Sequence, residues 1–460
     1  MLRLPALLLL LGFAAAPLAQ TVGGGAHGAF APTDQITEAQ RAEIWQHIEA
    51  NRARLVAEGR LDGSPRGAFP ELVFPLRSAT SDDDGYYAVS NFVDRAPGSG
   101  LQDYMCNERT YEGHRGWDVF TWPFPWEKMD LDEVEVIAAA AGTIVFREDG
   151  RPDRSCTLNG TQWNAVYVQH ADGSVAWYGH LKAGSATPKG VGDTVEAGEY
   201  LGVVGSSGNS TGPHLHLELY DAGNQLIDPF SGACNTEPSA WADQEPYYVT
   251  SISSIQTHDA APVHGQCPTT VDTPNRASQF APGDRVFVGS YYRDQFQGQP
   301  MAHSIRNPGG TLVASWTNAL SSAPYYSASW WYNSYVLEAN APTGTWTYRV
   351  EFEGDVAERT FEVSPPVATE PAPGAIEILS PRPNPSADRT ALTVRLAEAQ
   401  DVTAEIFDAQ GRRVASVWSG PLGAGEHALP VETARLPAGV YVVRVAAGAY
   451  RGAFPLTVAR

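Results

Sequence analysis

Two short stretches of this sequence carry side chains able to hold a metal ion. One is His114-Arg115-Gly116-Trp117-Asp118, an HxxxD, and the other is His214-Leu215-His216, an HxH. The HxH leads into Leu215–Tyr220, which reads as a strand, and a strand sends alternate side chains to one face. His214 and His216 therefore stand side by side. The two stretches together offer imidazoles and a carboxylate, donors that suit zinc. A catalytic zinc keeps three protein ligands and an open position for water, whose pKa it lowers until the water is a nucleophile. The imidazole left over can serve as a base or stabilise an oxyanion. Either motif alone recurs by chance, and their combination is what points to hydrolysis. The Gly-rich stretch 202–212 has the look of a phosphate cradle but lacks the Lys-Ser/Thr ending and a following helix. Its glycines read instead as tight turns beside the site.

Positioning such side chains takes β-structure. Asn164–His170 and Ser174–His180 flank Ala-Asp-Gly, a hairpin signal. Thr194–Val204 continues as strands broken by glycines, and this β-rich unit spans 72–250. A second unit covers 255–364. There Thr345–Phe352 alternates strictly, with Trp346, Tyr348, Val350 and Phe352 on one face, and Arg285–Tyr292 and Thr360–Val363 add strands at a spacing that suggests a sandwich. Residues 365–374 (PPVATEPAPG) read as a linker. A third β unit, 375–460, has Val402–Phe407 and Val440–Val445 as its clearest strands. Ahead of these, Thr37–Leu55 reads as a helix, with Thr37 and Gln40 forming a capping box and Ile44, Ile48 and Leu55 at helical spacing. The segment 21–71 that contains it is either a packing element or a pro-segment, packing being favoured, and the Gly- and Ala-rich 21–32 is expected to be disordered. The fold class is all-β, mainly antiparallel, with one short N-terminal helix.

Other residues have plainer readings. Glu218 shares a face with His214 and His216, either as a hydrogen-bond partner of a ligand histidine or as an exposed strand residue. His170 is expected to face solvent ahead of its turn. His27, His47, His258, His264, His303 and His427 have no partner cluster and read as structural or surface residues. Trp330 and Trp331 form either a carbohydrate platform or part of a core, packing being favoured for at least one.

The run from Gly202 to Glu218 (GVVGSSGNSTGPHLHLE) resembles the signature of the lysostaphin-type zinc endopeptidases. Tyr178-Gly179-His180-Leu181 matches that family's YxHL, and His114-x-Gly116-x-Asp118 its HxGxD. Ala139–Val145 resembles one of its strands, and Gly192 and Gly198 fit as well. The resemblance covers about residues 72–230. It implies a lysostaphin-type β-sheet peptidase domain, which the strand pattern of the chain beyond it extends with two β-sandwich domains. It implies His114, Asp118 and His216 as zinc ligands, with His180 and His214 as catalytic histidines flanking the water and the scissile carbonyl. The implied substrate is the peptide cross-links of peptidoglycan. A Gly-rich protein substrate is the alternative, as is a non-enzymatic surface-binding protein on the same scaffold. None of the five positions is substituted, which argues against the last. Trp117, inside the first motif, is expected to alter the rim of the site.

At the other end, Pro383-Asn384-Pro385, Gly411-Arg412-Arg413-Val414, Gly423-Ala-Gly425-Glu-His427 and Leu436–Val445 resemble, in that order, the C-terminal sorting domain of type IX secretion cargo. That resemblance implies contact with the type IX machinery and export across the inner and outer membranes, to the surface or beyond. Met1-Leu2-Arg3, an apolar run from Leu4 to Ala16 and Pro17-Leu18-Ala19-Gln20 read as a signal peptide over 1–20. Four cysteines in an exported chain suggest two disulfides, of which three pairings exist, and proximity favours Cys234 with Cys267. The formal charge of −21 excludes a nucleic-acid partner and an anionic membrane surface. No apolar run reaches the ~18 residues of a membrane-spanning helix. Composition leaves the oligomeric state open.

Overall fold

The computed structural model describes residues 20–26, 36–64, 66–80, 85–158, 160–319, 323–365, 376–408, 411–448 and 450–459. Nearly all of the expected signal peptide and linker, and His27, lie outside the described residues. The chain divides into two units, 1–366 and 367–460.

The frame of the first unit is an eight-stranded antiparallel sheet. Its order is Tyr87–Asn91, Trp117–Thr121, His214–Tyr220, Val175–Gly179, Ala165–Gln169, Gly142–Glu148 and Thr194–Val195, with Leu226–Ile227 pairing beside His214–Tyr220. The Ala-Asp-Gly hairpin forms as the sequence predicts, joining Ala165–Gln169 to Val175–Gly179. Every residue of His214–Tyr220 is buried, because both faces of the sheet are covered. Leu215, Leu217 and Leu219 enter a core with Val119, Val166 and Val168, and this core extends to a three-stranded sheet of Tyr200–Val203, Val134–Ile137 and Leu76–Ser78. The even positions face the other way. Tyr220 there joins Trp177, Tyr167 and Ala165 in a second cluster, closed by Ile44, Ile48 and Leu55 of the N-terminal helix.

That helix, α1, runs Glu38–Ala57. Thr37 caps it in a full capping box with Gln40, satisfying two of the otherwise unpaired N–H groups of the first turn. Its buried stripe of Arg41, Ile44, Ile48 and Leu55 follows the 3-, 4- and 7-residue steps of one helical face.

The middle of the chain builds a β-sandwich with its own core, including Trp346, Tyr348, Val350 and Phe352 from one face of Gly344–Phe352. One sheet has five strands and the other four. The four-stranded sheet corrects one expectation. Of the stretch 21–32 read as disordered, Thr21–Ala26 belongs to a strand, Gln20–Ala26, antiparallel to Tyr325–Val336, and 27–32 lies outside the described residues. Sandwich and peptidase-like sheet are tied together by the buried pair Arg109–Asp294 (2.8 Å) and by a shared cluster of Phe120, Trp122, Phe124 and Tyr291.

The disulfides correct another expectation. They are Cys106–Cys234 and Cys156–Cys267, not Cys234–Cys267. They close loops of 128 and 111 residues, so the fold's long-range contacts, not nearness along the chain, choose the pairs.

The second unit packs Glu377–Arg382, Arg389–Leu396 and Gly425–Glu432 as one sheet and Arg413–Leu422, Gln400–Phe407, Gly439–Ala447 and Tyr450–Val458 as another. Leu392, Val402, Ile406, Val443 and Leu456 are among its core. Among the described residues, no helix is long and apolar enough to cross a membrane.

Candidate metal centre

Strand register assembles the site. His216 lies opposite Asp118 on one neighbouring strand and opposite Gly179 on the other. Directly opposed residues of an antiparallel pair share a face, so Asp118 meets the two histidines of the HxH. His180 follows Gly179 at the end of its strand and takes φ 62°, a left-handed conformation that non-glycine residues adopt rarely. His114 comes from the turn before the Asp118 strand. All five side chains are fully buried.

The ligand atoms of His114, Asp118 and His216 all lie within 4.8 Å of one another. His114 Nε2 is 3.3 Å from Asp118 Oδ1, and His216 Nδ1 is 2.7 Å from the same oxygen. The outer nitrogen of each ring is held. His114 Nδ1 donates to the Phe92 carbonyl at 2.7 Å, which makes Nε2 the lone-pair nitrogen. His216 Nε2 lies 2.9 Å from Glu218 Oε1, which leaves Nδ1 for the centre. This donor set and these tautomers fit a borderline-soft divalent ion such as zinc. Gly116 is required here, since a Cβ on it would stand 2.6 Å from His216 Cε1 and Nε2.

His180 and His214 stand beside the three, their ring centroids 4.4 Å apart. Each donates Nδ1–H to a backbone carbonyl, His180 to Ser207 (2.6 Å) and His214 to Gly212 (2.8 Å), so Nε2 is the basic nitrogen of both. His214 Nε2 is 3.8 Å from Asp118 Oδ1. Trp163 walls the site, edge-on to His180 at 4.9 Å and 5.6 Å from His216. Gly179 leaves room for that indole, because a Cβ there would meet it at 2.2 Å.

The electrostatics follow from this burial. Burial works against charge on Asp118, yet the His114 and His216 imidazoles hold its carboxyl well below the usual range. Burial likewise opposes charge on His216, but Asp118 and Glu218 raise its pKa to about 10. Burial, then the neighbouring His214 and His216, pushes His180 well below 6.5. Burial lowers His214 too, partly opposed by Asp118.

The structure chooses between the readings of Glu218, which is fully buried and bonded to His216. Two expectations fail. His170 does not face solvent: it is buried, with Nδ1 2.8 Å from the Ala141 carbonyl. Trp117 does not shape the rim. Strand alternation turns it away from Asp118 into the core, against Phe230 and Trp241. His258 and His303 are buried in the sandwich, and His264 stacks between Phe124 and Trp330. Trp331 packs against the sandwich core, its Nε1 donating to Gln295. Sequence reasoning missed Asn91, whose Nδ2 is 3.4 Å from Asp118 Oδ2, Tyr111, stacked on His114 at 4.1 Å, and Arg41, which is paired with Glu218.

Residues 128–229 match Peptidase family M23, and residues 382–452 match the Secretion system C-terminal sorting domain. The first match holds His180, His214 and His216, while His114 and Asp118 precede it. A DD-carboxypeptidase/endopeptidase of Neisseria meningitidis serogroup B is 40% identical over 109 residues, 24% of this chain and 22% of that protein. The cell division protein DipM of Caulobacter vibrioides is 37% identical over 84 residues, 18% of this chain and 12% of that protein. The chain thus spans about a fifth or less of the length of these relatives. The catalytic domain of lysostaphin from Staphylococcus simulans, 23% identical, aligns over 33% of this chain and 96% of its own with a TM-score of 0.20, too low to add to the sequence matches. The chain carries a domain of peptidase family M23 over residues 128–229. It ends in a sorting domain that directs it, by type IX secretion, to the cell surface or beyond.

Proposed function

We propose that this protein is an exported zinc endopeptidase that cuts the peptide cross-links of peptidoglycan. The observation that carries the reading is the convergence of His114 Nε2, His216 Nδ1 and Asp118 Oδ1, each within 3.3 Å of the others, with two further imidazoles beside them. His114, Asp118 and His216 would hold the zinc, and the chemistry it would supply there is a lowered water pKa and polarisation of the scissile carbonyl. Asp118 supplies the negative charge, and the Asn91 amide, 3.4 Å from its Oδ2, orients it. His180 and His214 rest neutral, because burial keeps protons off them. Their basic Nε2 atoms are suited to accept a proton as water attacks, to return it to the leaving amine and to steady the oxyanion.

The name of the Neisseria relatives supports a cell-wall peptide as substrate. Export beyond the outer membrane puts the enzyme outside its own wall, so the peptidoglycan of other cells is the substrate it meets. The test is a digest of purified peptidoglycan by the mature protein, with and without a chelator, read by mass spectrometry for new peptide termini. Chelator-sensitive cleavage is expected. Cleavage that persists in chelator, or a protein that binds no metal, overturns the reading.

A further inference from the structure

The buried polar chain does not stop at Glu218. Oε1 of that carboxylate holds His216 Nε2, and Oε2 is paired with the guanidinium of Arg41, from α1. Arg41 Nη1 also donates to Tyr220 Oη at 2.6 Å, and that hydroxyl donates to Glu218 Oε2 at 2.5 Å. The guanidinium lies over Trp177, 5.6 Å from its centroid. Arg41 is 3% exposed and Glu218 is 0% exposed. Arg41 stands 177 residues before Glu218 and outside the stretch that matches the peptidase family.

A carboxylate in such a place must be paired, since an isolated buried charge is expensive and moves toward any available cation or proton. Arg41 Nη1 meets both Glu218 Oε2 and the Tyr220 hydroxyl, and that hydroxyl donates to the same Oε2, so the oxygen is fixed by a charge-assisted bond and by a second donor. With Oε2 so fixed, Oε1 is held against His216 Nε2, and that contact sets which nitrogen of His216 faces Asp118. The geometry points to Arg41 as a positioning residue of the metal centre, acting through Glu218 on His216. α1 is then a working part of the peptidase domain and not a removable pro-segment. This inference rests on the zinc reading above.

The test uses the full mature chain and its Arg41→Met, Arg41→Lys, Glu218→Gln and Arg41→Met/Glu218→Gln variants. Zinc affinity is measured by chelator competition, and the visible spectrum of the cobalt-substituted protein reports the geometry of the ligands. Arg41→Met is expected to weaken zinc binding about 10–100-fold, the usual cost of losing an outer partner of a ligand, and to shift the cobalt spectrum. Arg41→Lys should recover part of the affinity. In the Glu218→Gln background, Arg41→Met should change affinity less than twofold, because its route to the metal is already cut. This double variant buries no lone charge, so it provides the test even if Arg41→Met alone fails to fold. Two results overturn the inference: parental affinity and spectrum in Arg41→Met, or a more than twofold loss of affinity on adding Arg41→Met to Glu218→Gln. Asp118→Ala separates the two levels. If the parent's zinc binding depends on Asp118 and Arg41→Met leaves it unchanged, only the present inference falls. If the parent binds no zinc, or binds it equally well without Asp118, the zinc reading falls and takes this one with it.

Discussion

Adding zinc to the metal-free protein at pH 7 should release one proton from His216. Its Nδ1 is 2.7 Å from Asp118 Oδ1 and its Nε2 is 2.9 Å from Glu218 Oε1, so the ring sits between two buried carboxylates. Against the cost of burial, these raise its pKa to about 10. A metal needs the Nδ1 lone pair, so the imidazolium must first lose a proton. At pH 7, about three units below that pKa, only ~1 site in 1,000 is ready. The apparent affinity is therefore ~1,000-fold weaker than the intrinsic one, about 4 kcal/mol at 1.36 kcal/mol per unit. The sign follows: raising the pH from 7 toward 10 should tighten zinc binding about tenfold per unit. Asp118 adds no proton, being held well below the carboxylate range. Calorimetry in two buffers of different ionisation heat counts the protons directly. Glu218→Gln distinguishes the His216 proton from one lost by bound water, because removing one flanking carboxylate lowers the pKa of the ring alone. Zinc binding without proton release at pH 7, or an affinity flat between pH 7 and 9, would refute the reasoning.

Three further outcomes are expected. Asp118→Ala should lose both zinc and hydrolysis, whereas His214→Ala should keep zinc, by native mass spectrometry, and lose hydrolysis in the digest. Gly116→Ala should weaken zinc binding and cost ~1–3 kcal/mol in urea unfolding, since its Cβ would press on His216 at 2.6 Å and on the Leu217 carbonyl oxygen at 3.0 Å. Because burial lowers the pKa of both His180 and His214, each takes up its proton at a lower pH than an ordinary histidine with its pKa of 6.5. The acid limb of kcat/KM, measured on a synthetic cross-linked peptide at saturating zinc, should therefore fall below 6.5, and a limb at or above that value would contradict the assignment.

How much of this can be read from the sequence depends on the range of the interaction. His214 and His216 are two apart in a strand, so the period of two puts them on one face before any fold is known. The Ala-Asp-Gly turn fixes a hairpin, and that hairpin ends at Gly179, which pairs opposite His216 and delivers His180. Glu218 is the next step along the same face, so its direction is legible, but its burial is not, because burial depends on what covers that face. Four failures share one cause. Gln20–Ala26 has no apolar pattern, and what makes it a strand is backbone pairing with a segment more than 300 residues away. Trp117 and His170 take their sequence readings from chain neighbours, and their environments come from Trp241 and Ala141. Nearness along the chain misleads for the cysteines, because loop-closure cost grows only slowly with length and the folded contacts decide. Arg41 is the extreme case. Its one sequence signal is a cation on the stripe of Ile44 and Ile48, a position that favours apolar residues. Read alone, that is a defect in the helix. A buried cation needs an anion, and the face of the strand that carries His214 and His216 supplies one at Glu218. The departure from amphipathic pattern in α1 and the unexplained carboxylate after the HxH are thus two halves of one ion pair, and finding either in a sequence is reason to look for the other.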